Sequence, residues 1–147
     1  IYAEDPYQNG LPSTGKLGSI YFPHGPGRRW EMGFETGDEI TSFYDPMIAK
    51  VVVWDETRGR CLQKMVRTLQ DTIIFGVKTN IPFLIQILNH LSFVEGKMTT
   101  QFIEEFFPQG LKQRKLSQHE KHLAQTLYQK IGSEKTKNPW FYSGWSS

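Results

Sequence analysis

The period of the apolar positions changes near Asp55. Before that residue, apolar side chains alternate with polar ones or form short runs between Gly, Pro and Asn residues, a pattern typical of β-strands. Strands are therefore predicted over 16–22, over 29–35 and 39–44 as the two arms of a hairpin, and over 49–54. The last run is almost entirely apolar, so we expect a central strand that is buried on both faces.

After Asp55 the apolar positions recur every three or four residues, which is the period of an amphipathic helix. Three helices are predicted, each beginning at a residue that can cap it: at Asp55 or Thr57, at Asn80, and at Thr99 or Thr100. Pro82 suits the first turn of the second helix, which we expect to continue to Leu91. A short strand is predicted over 73–77.

These elements predict an α+β fold over residues 1–107, with a mainly antiparallel sheet and flanking helices. Residues 108–147 are expected to form a helical linker, because a capping box at Ser117–Glu120 precedes a further amphipathic stretch. The end of the chain carries four aromatic side chains among small polar residues, too few to form a core of their own. We expect them to pack on a partner; they are Trp140, Phe141, Tyr142 and Trp145.

Composition excludes several classes of protein. The 147 residues suffice for one domain, and a net charge of +2 is too small to indicate binding to nucleic acid or to a membrane surface. No apolar run is long enough to span a membrane. Cys61 is the only cysteine, which excludes an intrachain disulfide and a Cys-rich zinc site. His119 and His122 have helical spacing but no third ligand, so no metal site is predicted.

The most specific local pattern is Tyr44-Asp45-Pro46. Proline fixes its own φ and makes the preceding residue extended, so a phenol and a carboxylate could project from a strand end into a cleft. The alternative is that Asp45 only caps a turn, and the residue types alone favour that alternative. Glu104 and Glu105 are adjacent on a helix and point about 100° apart, so a solvated face is expected there rather than an acid–base pair.

Six ordered blocks carry a resemblance to a known family: Ala-Glu-Asp-Pro, Leu-Pro-Ser-Thr-Gly, Gly-Asp-Glu-Ile, Tyr-Asp-Pro-Met-Ile-Ala-Lys, Gly-Val-Lys-Thr-Asn-Ile and Phe-Val-Glu-Gly. Residues 1–107 resemble the C-terminal domain of biotin carboxylase. The blocks Gly76–Ile81 and Lys50–Trp54 are most similar to those of the biotin-carrying α subunits of acyl-CoA carboxylases, of the methylcrotonyl-, propionyl- or acetyl-CoA type.

The resemblance implies an ATP-dependent ligase in which bicarbonate and Mg-ATP give carboxyphosphate, which delivers CO₂ to biotin. In that family an arginine held against biotin lies directly before the Ile-x-Ala-Glu-Asp-Pro stretch, so a chain beginning at Ile1 is expected to be part of a larger enzyme and inactive alone. The metal ligands, the phosphate-binding lysines and the biotin carrier are implied to lie on other segments. No cofactor is expected to be bound by this segment alone.

The resemblance also implies roles for single residues. Tyr44 and Asp45 match a pair on the wall facing the active site. Thr100 lies near the position that approaches the adenine of ATP, although the family has a mostly apolar side chain there. Arg29 matches a residue at the dimer interface, whereas Pro26 replaces an aromatic residue of the same contact. The aromatic tail, with Trp140, Phe141 and Trp145, is implied to dock on a neighbouring domain or subunit.

The implied partners are the rest of the biotin carboxylase subunit, a biotin-carrier domain and a carboxyltransferase subunit, in a homodimer or higher oligomer. The implied location is the cytoplasm of a bacterium or the mitochondrial matrix of a eukaryote. The alternative function is a non-catalytic module for dimerisation and subunit docking. Neither nucleic acid nor a membrane is expected as a partner.

Overall fold

Residues 1–111 are described by a computed structural model of this chain. The strands are β1 (Glu4–Asp5), β2 (Leu11–Pro12), β3 (Gly15–Lys16), β4 (Ser19–Tyr21), β5 (Arg28–Met32), β6 (Glu39–Ile40), β7 (Ala49–Val53) and β8 (Ile73–Phe75). The helices are α1 (Arg58–Gln70), α2 (Ile81–Asn89), α3 (Leu91–Val94) and α4 (Phe102–Phe106). The predicted linker over 108–147 and its aromatic tail lie almost entirely outside the described residues.

The strands form four antiparallel pairs, β1–β2, β3–β6, β4–β8 and β5–β7. The mixed class with small antiparallel sheets is confirmed, but the single hairpin over 29–44 is wrong. β5 pairs with β7, and β6 pairs with β3. Beside the β3–β6 pair, the N–H of Gly37 donates to the carbonyl of Leu17, and the N–H of Leu17 donates to the carbonyl of Asp38. This pairing buries Ile40 beside Leu17 in the core.

Two further strand predictions need correction. The stretch 16–22 is not one strand, because the chain turns inward at the buried Leu17 and changes partner between β3 and β4. β7 is not buried on both faces: residues 51–53 are half-buried and Lys50 is exposed. The only strand paired with β7 among the described residues is β5, and on the other side only its first residue, Ala49, bonds to Ile1.

The first two helices begin where their caps predict. The hydroxyl of Thr57 accepts a hydrogen bond of 3.3 Å from the N–H of Arg60 at the start of α1, and α2 follows Asn80 with proline in its first turn. The expected continuation to Leu91 is wrong, because His90 has an extended conformation (φ −69°, ψ 134°) that ends α2 and leaves Leu91 68% exposed. The cap of α4 is Gln101, not a threonine.

The core is assembled from residues far apart in the sequence. Its buried members are Ala3, Leu17, Phe22, Ile40, Ile48 and Ala49. Leu111 is also buried, and its N–H donates to the carbonyl of Pro6. Since Ala3 belongs to this core and Pro6 bonds to Leu111, the first residues of the chain are fixed by tertiary contacts.

Within residues 1–111, no helix is both long and apolar enough to cross a bilayer.

Candidate functional site

The two most distinctive stretches of the sequence lie side by side. The nitrogen of Ile1 donates to the carbonyl of Ala49 at 2.7 Å, and the carbonyl of Ile1 accepts from Ile48 at 2.9 Å. Two residues further on, the N–H of Ala3 donates to the carbonyl of Pro46 at 2.9 Å. Residues 1–3 and 46–49 thus form a short antiparallel ladder, which places the turn at 44–46 beside the first residues of the chain.

Among residues 1–111, the backbone groups of Tyr2 on the opposite edge of this N-terminal segment are bonded by one residue, Asn80. The side-chain oxygen of Asn80 accepts from the N–H of Tyr2 at 2.9 Å, and the backbone N–H of Asn80 donates to the carbonyl of Tyr2 at 3.1 Å. Every backbone polar group of residues 1–3 consequently has a partner, since the carbonyl of Ala3 accepts from Ser13. Asn80 takes the place that a neighbouring strand would occupy.

A second contact close to this segment is made by Lys78, which lies two residues before Asn80 in the sequence. The ammonium of Lys78 donates to the carboxylate of Asp5, which also accepts from the side chain of Gln8 at 2.8 Å and the N–H of Tyr7 at 3.0 Å. The hydrogen bond from Lys78 lowers the pKa of Asp5 below its usual value, and the bonds from Tyr7 and Gln8 act in the same direction. The buried carboxylate is therefore ionised and paired.

The predicted cleft pair lies on an exposed turn. The Tyr44 side chain is 83% exposed, and its neighbour Phe43 is 86% exposed. One carboxylate oxygen of Asp45 accepts from the N–H of Met47 at 2.9 Å, as an Asx turn does. This contact agrees with the alternative in which Asp45 caps a turn. The second carboxylate oxygen of Asp45 and the Tyr44 phenol have no hydrogen-bond partner among the described residues.

An apolar cavity of about 280 Å³ lies below the ladder, where β7 meets α1 and α2. Its walls come from the N-terminal segment, the start of β7 and the two helices: Ile1, Tyr2, Met47, Ala49, Met65, Leu69, Leu84 and Leu88, with Lys50 and Val51 beside them. This lining offers few groups that would hold a phosphate or a metal ion.

The predicted interface residues lie on β5 and the loop before it. Arg29 is exposed and contacts Glu31 at 3.2 Å, and Glu31 in turn contacts Lys50 at 3.4 Å across the β5–β7 pair. Pro26 is exposed in the turn that leads into β5. Arg29 and Glu31 thus lie on β5 and Lys50 on β7, while Pro26 precedes β5.

Thr100 lies in the exposed turn before α4, where the neighbouring Thr99 hydroxyl accepts from the N–H of Gln101 at 3.3 Å. Glu104 and Glu105 are both exposed on α4. Within the described range, no three His, Cys, Asp or Glu side chains lie close enough together to hold a metal ion. The residue pair His119 and His122 lies outside that range.

Sequence reasoning missed the site's main anchors, Asn80, Lys78 and Asp5. The sequence predicts that Asn80 caps α2, yet its side chain makes no capping bond to that helix. The only available signal was the cluster of polar residues in Gly76–Ile81 between a strand and a helix, and that signal does not reveal the distant partner.

Residues 1–105 match the biotin carboxylase C-terminal domain. The mitochondrial propionyl-CoA carboxylase alpha chain of Sus scrofa is 39% identical over 124 residues, which is 83% of this chain and 17% of that relative. The biotin carboxylase of Halalkalibacterium halodurans is 45% identical over 103 residues, 70% of this chain and 23% of that enzyme.

A solved structure supports the same relationship. The biotin carboxylase domain dimer of the Hydrogenobacter thermophilus 2-oxoglutarate carboxylase, in complex with MgADP, ADP and bicarbonate, matches with a TM-score of 0.68 and 41% identity. The match covers 71% of this chain and 23% of that one. The chain spans less than a quarter of each of these relatives. With a domain match that covers most of its length, the chain belongs to the biotin carboxylase C-terminal domain family.

Proposed function

We propose that residues 1–107 form one wall of the active site of a biotin carboxylase component, which carboxylates carrier-bound biotin with ATP and bicarbonate. The observation that carries this proposal is the ladder between residues 1–3 and 46–49, which joins the two segments with the most distinctive motifs. The similar proteins include a propionyl-CoA carboxylase alpha chain and a biotin carboxylase, which supports the assignment to an ATP-dependent ligase.

This segment is proposed to supply one part of the catalytic site, and the rest of the subunit is proposed to supply the remainder. The Mg ion and the triphosphate of ATP are proposed to be held by other segments, as the family pattern implies; the described residues include no cluster of metal-ligating side chains. Biotin, when bound, supplies the ureido nitrogen that takes up CO₂. Tyr44 and Asp45 are exposed at the end of the ladder and are free to contact a group in a cleft completed by the rest of the enzyme.

The proposed contribution of this wall is positioning. The pocket under the ladder is lined mainly by apolar side chains, and a low-dielectric surrounding strengthens any charge interaction made by a neighbouring group. Thr100, in the turn before α4, is proposed to lie near the adenine of ATP, as its place in the family pattern implies.

The proposal extends to the architecture of the complete protein. The match to the propionyl-CoA carboxylase alpha chain covers 124 residues and so continues beyond the domain match at residue 105. This longer match supports a linker over 108–147 that leads toward the carboxyltransferase-docking and biotin-carrier regions. The proposed compartment is the bacterial cytoplasm or the mitochondrial matrix, since both bacterial and mitochondrial relatives match.

The second candidate is a non-catalytic module for dimerisation and subunit docking. The solved relative with 41% identity is a domain dimer, and here Arg29 and Pro26 are both exposed on the surface that the family pattern assigns to that contact. The two functions can coexist, but only the first requires Tyr44 and Asp45 to affect turnover.

Release of phosphate from ATP tests the catalytic assignment. The 147-residue chain with Mg-ATP, bicarbonate and free biotin is expected to release no phosphate above a protein-free blank, because the described part of it carries no metal-ligand cluster. The complete subunit that contains this chain is expected to release phosphate only when bicarbonate is present. Bicarbonate-dependent release by the chain alone, or its absence in the folded complete subunit, would show that the proposed division of the site is wrong.

A further inference from the structure

We propose that Asn80 is a positioning residue of the carboxylation site: it holds the segment Ile1–Ala3 in register against residues 46–49, with the Lys78–Asp5 ion pair as a second anchor. The inference rests on the proposed function, because the segment matters to catalysis only if it lines the active site. It assigns a role to a side chain that the sequence pattern alone interprets as a helix cap.

The first reason is that Asn80 does not serve its own helix. An asparagine at the N-cap normally accepts a hydrogen bond from the second or third residue of the helix. In α2 the second residue is Pro82, which has no N–H, and Phe83 bonds to the backbone carbonyl of Asn80 at 3.0 Å. The side chain is therefore released from capping and accepts from Tyr2 instead.

The second reason is the pairing geometry. Ile1 and Ala3 bond to residues 46–49 on one side, and Tyr2 bonds to Asn80 on the other, through both its N–H and its carbonyl. In an extended chain, successive residues direct their backbone groups to opposite edges. Asn80 therefore supplies all of the hydrogen bonding on the Tyr2 side, and loss of its side chain would leave the half-buried N–H of Tyr2 without its partner.

The third reason is that the loop carrying Asn80 is itself fixed at both ends. Lys78 bonds through its ammonium to the buried carboxylate of Asp5 and through its N–H to the hydroxyl of Ser13 at 3.0 Å. On the other side, α2 begins directly after Asn80. The loop at residues 78–80 bonds to Asp5 through Lys78 and to Tyr2 through Asn80. A loop fixed in this way is suited to hold a reacting group to within the fraction of an ångström that catalysis requires.

Substitution of Asn80 in the complete subunit tests the inference. Asn80→Ser keeps a small polar side chain that is too short to reach Tyr2, whereas Asn80→Asp retains an acceptor oxygen at the same distance. The matched control is Asn89→Ala at the other end of α2, whose side chain bonds only locally, to the carbonyl of Ile85 at 2.9 Å. Asn80→Ala provides a second truncation, and all rates are expressed per folded molecule.

Two activities are measured: transfer of label from bicarbonate to free biotin, and bicarbonate-dependent release of phosphate from ATP without biotin. For Asn80→Ser we expect label transfer to fall on the order of 10- to 100-fold, the loss typical of a misplaced catalytic group. Phosphate release should be retained. Asn80→Asp should restore label transfer, and Asn89→Ala should leave both activities unchanged.

The possible results are distinguishable. Equal label transfer by the wild type and Asn80→Ser overturns the inference, as does a parallel loss of both activities that Asn80→Asp does not restore. If Asn80→Ala fails to fold, Asn80→Ser and Asn80→Asp still decide the question, because each keeps a polar side chain at this position and the backbone carbonyl that accepts from Phe83. Absence of label transfer by the folded wild-type subunit overturns the proposed function and this inference with it.

Discussion

Replacement of Gly76 by alanine is expected to lower the free energy of unfolding by more than the loss of a flexible residue alone would. Gly76 follows β8 with a φ of +109°, and a Cβ at this position would lie 1.9 Å from the carbonyl oxygen of Lys16 and 3.1 Å from the nitrogen of Gly18. Both contacts are backbone atoms, so no side chain can rotate away. The N–H of Gly18 already donates to the carbonyl of Phe75 at 2.9 Å, which fixes the two segments together.

The loss in the free energy of unfolding can be separated into two contributions by comparison with Gly37. Its φ of +100° is nearly the same, but a Cβ there would meet no atom of residues 1–111 within 4 Å. Gly37→Ala therefore carries only the conformational cost of a left-handed alanine, about 1–2 kcal/mol of the free energy of unfolding. Gly76→Ala carries the same cost and an overpacking cost of about 1–3 kcal/mol.

Urea unfolding of the 147-residue chain, followed by far-ultraviolet circular dichroism, measures both variants. The total of about 2–5 kcal/mol for Gly76→Ala is a large fraction of the roughly 5–15 kcal/mol by which domains are stable, so its midpoint should fall well below that of Gly37→Ala. The slope with denaturant should remain that of the wild type. Equal midpoints for the two variants would refute the close approach between residue 76 and the β3–β4 connection.

Two further outcomes follow from the anchors and from the tail. Because Lys78 lowers the pKa of Asp5 in the native state, the ion pair stabilises the protein fully above the ordinary pKa of 3.8 and is lost as pH falls through the lower native value. Asp5→Asn should therefore lower the melting temperature at neutral pH and flatten its decline in acid, and the reverse pH dependence would exclude the pair as a source of stability. In the assembled complete complex, Trp140 and Trp145 should be shielded from acrylamide quenching, since burial of one such ring is worth roughly 1.5–3 kcal/mol; free quenching of both would mean that the tail is only a linker.

The starts of the first two helices could be predicted from the sequence because they depend on contacts between residues close together in the chain. The cap at Thr57 and the start of α2 after Asn80 follow from short-range hydrogen bonding and fixed backbone angles, and both are confirmed. The end of α2 was misplaced because an apolar residue at helical spacing, Leu91, does not reveal that His90 leaves the helix.

Strand pairing could not be predicted because the strands are too short to specify it. β4 has three residues, and its partner β8 begins more than fifty positions later, with Ser19 opposite Phe75. Over so few residues the alternation of side chains gives no unique register, so long-range burial decides. The same holds for Asn80, whose residue type predicts a cap and whose actual bond is made to Tyr2, 78 positions away in the sequence.

Transfer of labelled bicarbonate to biotin by the complete subunit tests most directly whether this domain forms a wall of the active site. The comparison is between the wild type and Asp45→Ala, whose lost bond to Met47 lies in an exposed turn and should cost little stability. We expect the wild type to transfer label with ATP and Mg, and Asp45→Ala to transfer much less per folded molecule. Unchanged transfer by Asp45→Ala, with a lowered melting temperature as its only effect, would contradict the placement of this turn at the active site.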